Sequence, residues 1–192
     1  MKKIICFFSI ILLLILITVF IYIKSHIFTI NKPIEVFSLE GASIEKSYSN
    51  LTEILEEKDM LTGYELSSIE YYPSKKIGYV VYSNTIDKSV IFVQIDKDIF
   101  TTAVRYDSNC KESKRLWGYP IPFDLVKIYS QDLNKIIKDK DADFSSNSIK
   151  YILLENNAAR NKIIWRCIYK SNNYKDLEID AVSGEVLRVM EN

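Results

Sequence analysis

The residues able to do chemistry in this chain are few and scattered. There is one histidine, His26, and three cysteines, Cys6, Cys110 and Cys167, among 192 residues. A general base needs a nucleophile or a metal beside it, and His26 has neither nearby in sequence. With no second histidine and no paired cysteines, zinc-ligand spacing is absent. Gly63, Gly78, Gly118 and Gly184 are isolated, so no glycine-rich phosphate loop is present. No G-x-S-x-G nucleophile elbow occurs either. These absences lead to an expectation of no catalytic residue, no cofactor and no metal. Cys110 and Cys167 read as two free, partly buried thiols, because a lone cysteine usually serves as a small apolar side chain.

Two stretches remain. Asp176, Glu178 and Asp180 alternate along one strand, and three carboxylates on one face could hold a cation. The simpler reading is a solvated outer face, with Asp180 bracing the Ser183-Gly184 turn through its side chain. Trp117-Gly-Tyr-Pro-Ile-Pro122 is aromatic, lies mid-chain and follows Lys114 and Arg115. Aromatics with arginine are enriched at contact surfaces. Trp117, Tyr119 and Arg115 are therefore the candidate partner-binding residues. The competing reading is that the two aromatics pack neighbouring units together.

Periodicity shows what must position them. Ile163, Trp165, Cys167 and Tyr169 share one face of a strand, as do Leu177, Ile179 and Ala181 in the next. Ser183-Gly184 supplies the turn and Leu187 and Val189 a final strand. Upstream, Glu65 to Tyr72, Lys76 to Ser83, Ser89 to Asp96 and Ile99 to Tyr106 read as strands. Helices precede both strand sets. One is capped by Ser43, with Ile44, Tyr48, Leu51, Ile54 and Leu55 as its stripe and Gly63 as its C-cap. The other starts at Pro122, with Leu125, Tyr129, Leu133, Ile136 and Ile137. Asp139 to Ser148 is loop-like. Val93-Gln-Ile-Asp96 matches Leu177-Glu-Ile-Asp180, which suggests a repeated plan. Trp165 should lie in the core of the second unit.

The N-terminus reads as an anchor. Ile4 to Ile23 is apolar apart from Ser9, Thr18 and Tyr22, long enough for a bilayer core of about 30 Å. Lys2 and Lys3 favour a cytoplasmic N-terminus with the bulk of the chain outside. No cleavage site follows, and Cys6 lacks the small-residue context of a lipid-modified cysteine. Residues 1–32 carry four lysines and no acid, which leaves a net charge of −4 on the remainder. A mildly acidic remainder gives no electrostatic case for nucleic acid.

Asp180, Ala181, Val182, Ser183, Gly184, Glu185, Val186 and Leu187 resemble the end of a PepSY domain. There an aspartate and alanine precede Thr-Gly, an acid, Val and Leu; Ser183 stands for the usual threonine. By layout the whole chain is similar to the TseB type of cell-wall elongation regulator of Gram-positive bacteria. The resemblance implies a non-enzymatic partner of a penicillin-binding protein with two cystatin-like domains outside the membrane, or else a PepSY-like peptidase inhibitor. It offers no catalytic residues. The expected fold is therefore α+β: a transmembrane helix, then two tandem units of one helix on a meander. Residues 1–32 would form tail, anchor and exit, 33–106 the first unit, 107–121 the linker and 122–192 the second unit. The expected localisation is the cell membrane, as a single-pass protein.

Overall fold

A computed structural model describes residues 2–30, 34, 44–96, 101–140, 148–170 and 176–190. In chain order it contains α1 (Lys2–His26), β1 (Ile27–Ile30), α2 (Ile44–Glu57), β2 (Tyr64–Tyr72), β3 (Ile77–Asn84), β4 (Val90–Asp96) and β5 (Thr101–Tyr106). A short α3 (Lys111–Leu116) and one 3-10 turn (Phe123–Leu125) lead to α4 (Ser130–Lys140). Then come β6 (Ile149–Asn157), β7 (Lys162–Tyr169), β8 (Asp176–Asp180) and β9 (Val186–Met190).

The two tandem units with separate sheets are corrected by the strand order. Among the described residues, nine strands form one open antiparallel sheet, β1-β5-β4-β3-β2-β6-β7-β8-β9. The first strand of each meander supplies the join. Ser68, Ile69, Glu70 and Tyr71 of β2 lie opposite Glu155, Leu154, Leu153 and Ile152 of β6. An edge strand presents unpaired N–H and C=O groups, and here each meander covers the other's edge.

Opposed residues share a face, and one face is the core. Ile69, Tyr71, Val80, Tyr82, Leu154, Trp165 and Ile179 belong to a single buried cluster with Leu51 and Leu55 of α2 and Leu133 and Ile137 of α4. The expected stripe of α2 is buried at Ile44, Leu51, Ile54 and Leu55. The expected cap, Ser43, lies outside the described residues. At its C-terminus α2 closes on Asp59 at φ 53°, with the Met60 N–H bonding to the Leu55 carbonyl at 3.0 Å. Gly63, the expected cap, instead uses its φ of 78° on the approach to β2.

The second helix begins at Ser130, well after the expected Pro122. The backbone before it is engaged elsewhere: Lys127 and Ile128 N–H both donate to the Ala181 carbonyl, at 2.9 and 3.0 Å. The Ile128 carbonyl takes the Trp165 indole N–H at 2.8 Å. Trp165 itself is fully buried, as its strand alternation required.

The membrane anchor is also corrected. Among the described residues, no helix is long and apolar enough to cross a membrane. The expectations built on Ile4–Ile23 fall with it: single-pass topology, cytoplasmic N-terminus, cell-membrane localisation and the membrane as partner. The role as a membrane-anchored cell-wall regulator loses its anchor in the same way.

Candidate functional site

The segment after β5 crosses the sheet face turned away from α2 and α4, and a chain of polar contacts fixes its path. The Cys110 thiol caps α3 by accepting the Ser113 N–H at 3.3 Å. The buried Ser113 hydroxyl donates to the Lys88 carbonyl at 2.6 Å. Gly118 N–H donates to Ser83 Oγ at 3.2 Å, Ser83 to Ser67 Oγ at 2.9 Å, and Ser67 to the Val81 carbonyl at 3.1 Å. Gly118 sits so close that an added Cβ would stand 3.4 Å from Ser67 Cβ. The register of β2 shifts between Leu66 and Ser68, as at a bulge. There the Leu66 carbonyl accepts the Ile121 N–H at 2.7 Å. Asn156 Nδ2 donates to the Pro120 carbonyl at 2.6 Å and ties the segment to β6.

Trp117 is half-buried. Its indole N–H donates to the Asn84 carbonyl at 3.2 Å, and Lys88 Nζ stands 4.0 Å from its ring. Tyr119 packs edge-on against it at 5.3 Å while staying 52% exposed. Trp117 thus packs against the β3–β4 turn, whereas Tyr119 keeps an exposed surface.

Between this segment and the β2–β6 seam lies a cavity of about 290 Å³. Arg115, Trp117, Gly118 and Tyr119 form one wall; Ser68, Glu70, Leu153, Glu155 and Asn156 line the strand side. All three sequence candidates thus meet at one site. Glu70, Leu153, Glu155 and Asn156 were missed, because only the pairing of β2 with β6 brings them together. The charges differ in their engagement. Glu155 is held by Arg166 at 3.0 Å, whereas among the described residues the Glu70 carboxylate accepts only the Tyr72 hydroxyl at 3.0 Å. Burial, then the charge of Glu70, pushes the Tyr72 phenol above its ordinary pKa, so it remains a donor.

The acid row lies apart from the cavity and is not solvated. Asp176, Glu178 and Asp180 are all buried. Arg160 and Arg166 reach Glu178 at 2.5 and 3.3 Å, and Lys162 reaches Asp180 at 2.8 Å. The stems of these long side chains cover the row. Asp176 accepts the Tyr169 N–H at 2.9 Å. Asp180 Oδ1 accepts the Val182 and Ser183 N–H groups at 2.9 and 3.1 Å, bracing the turn as expected. Burial raises the Asp180 pKa, but Lys162 and these two N–H groups outweigh it and hold it below the ordinary value. Among the described residues, no group of three or more His, Cys, Asp or Glu is placed to hold a metal ion. His26 stacks on Tyr22 and approaches Asp107 at 3.5 Å. Cys110 and Cys167 are free thiols, and burial pushes the Cys167 pKa well up, away from a reactive thiolate.

No protein-family model and no curated protein matches the chain. A crystal structure from Clostridium difficile 630, of a protein described as a candidate lipoprotein, is similar to it at TM-score 0.50 and 11% identity. The match covers 76% of this chain and 92% of that one. At that identity the likeness is one of fold.

Proposed function

We propose that this chain is a non-catalytic binding protein that holds a segment of a protein partner in the cavity at the β2–β6 seam. The observation that carries this reading is the convergence of Arg115, Trp117 and Tyr119 on one cavity, with Tyr119 exposed beside it. Tryptophan, tyrosine and arginine dominate binding energy at protein interfaces. Ser67, one of the cavity's serines, is committed as a donor to the Val81 carbonyl at 3.1 Å, which supports binding over catalysis. We also propose kinship with PepSY domains. It is supported by Asp180 to Leu187, which build the β8–β9 turn. The division into 33–106, 107–121 and 122–192 belongs to the same proposal, with the cavity lying where the joining segment passes the seam.

The test is a photo-crosslinking residue at position 119, with position 182 as a control at another exposed site. A discrete adduct is expected from 119 alone, and it should disappear in a folded Trp117→Ala variant. Equal adducts from both positions would sink the reading.

A further inference from the structure

Building on that reading, we propose that the partner anchors itself in the cavity through a basic side chain, arginine or lysine, whose charge meets Glu70. Glu70 sits mid-strand in β2, opposite Tyr79 on one side and Leu153 on the other, on the face turned away from α2 and α4. Among the described residues it makes no ion pair, and the Tyr72 hydroxyl at 3.0 Å is its one hydrogen bond. A carboxylate can accept several such bonds and gains most from a charged donor. Glu155, the other acid of the cavity, is already satisfied by Arg166. Arg115, its one basic lining residue, is exposed and makes no ion pair among the described residues, so it leaves Glu70 uncompensated. Leu153 and Tyr119 give the stem of a long basic residue an apolar bed.

The surface beyond Glu70 favours a protein segment over a glycan. Phe92, Tyr79, Tyr72 and Tyr151 stand in a row across four strands, with ring centroids 5.2, 5.5 and 5.6 Å apart. Tyr79 and Phe92 are stacked, and Tyr72 meets Tyr79 edge-on. Tyr79 and Phe92 thus turn one ring face to each other, and Tyr151 is tilted 34° from Tyr72. A tyrosine-rich surface of this kind is typical of protein interfaces.

The two tryptophans provide the test, because Trp117 lines the cavity while Trp165 is sealed in the core. The full chain, labelled with nitrogen-15, would be titrated with acetyl-Gly-Arg-Gly-amide at millimolar concentration. Parallel titrations would use its citrulline and glutamate counterparts and a tetramer of N-acetylglucosamine. The arginine peptide should move the Trp117 indole resonance and leave that of Trp165 in place. Glu70→Gln should weaken this binding about tenfold or more, with an unmoved Trp165 resonance showing that the fold is kept. The inference is overturned if the arginine peptide does not move Trp117, if citrulline or Glu70→Gln makes no difference, or if the glutamate peptide or glycan binds instead. In those cases a persisting adduct from position 119 leaves the cavity as the partner site and removes only its basic anchor; loss of both removes both.

Discussion

Trp165 and Trp117 are the same residue type in opposite circumstances. Replacing Trp165 with alanine empties a fully buried site and orphans the Ile128 carbonyl. A cost of roughly 3–5 kcal/mol follows, comparable to the stability of a small domain. Trp117→Ala loses one hydrogen bond and the Lys88 contact at a half-buried site, about 1–2 kcal/mol. Thermal unfolding of both variants beside the parent checks the order, and Trp165→Ala should melt far lower. Glu178 gives a third case. Its side chain is 3% exposed while Arg160 and Arg166 are 38% and 33% exposed. Glu178→Ala should therefore cost about 1–3 kcal/mol, between the values for surface and buried pairs; urea denaturation measures it. The place of Trp165 was legible because alternation of large apolar residues leaves one face for the core. The acid row obeys the same alternation, yet its burial was not legible. Strand periodicity says which way a side chain points, not whether an arginine from the neighbouring strand lies over it.

The β8–β9 turn is held by Asp180 and by Gly184 at φ 79°. The folded-state pKa of Asp180 is depressed. Its contribution is therefore fully present above the unfolded value, about 3.9, and is lost as pH falls through the folded value. Asp180→Asn should flatten this acid limb in a plot of unfolding midpoint against pH, and an unchanged slope would count against the brace. Gly184→Ala meets two obstacles: a left-handed backbone, and a Cβ that would stand 3.1 and 3.3 Å from the Cδ1 atoms of Ile128 and Ile136. The isoleucine tips can give way, so the loss should be about 1–2 kcal/mol, mostly backbone strain. Denaturant midpoints test this. The turn was legible because Asp, Ser and Gly at that spacing have a local mechanism. The start of α4 was not, because the turn after β8, more than fifty positions away, claims the Lys127 and Ile128 amides.

At the scale of the molecule, each meander and the helix before it could be read from local pattern, but their fusion into one sheet could not. Which edge strand pairs with which is decided by two complementary rows of backbone groups, and these leave no trace in hydrophobic periodicity. The join has a cost when it is cut. Residues 107–192 alone would expose the edge of β6 and leave the Ile121 N–H without the Leu66 carbonyl. That fragment should self-associate in a sedimentation experiment, whereas a monodisperse monomer would show the seam to be dispensable. The same antiparallel pairing of equivalent strands has a geometric meaning. It relates the two meanders by an approximate dyad normal to the sheet, the symmetry of an isologous dimer, here with its halves covalently linked. The starts of α2 and α4 meet across that dyad, where Ile44 N–H donates to Ser130 Oγ at 3.2 Å. Only one polypeptide bridge joins the halves, so the bridge itself breaks the symmetry. Among the described residues the wall that Arg115–Tyr119 gives the cavity therefore belongs to the bridge and is not repeated by the dyad.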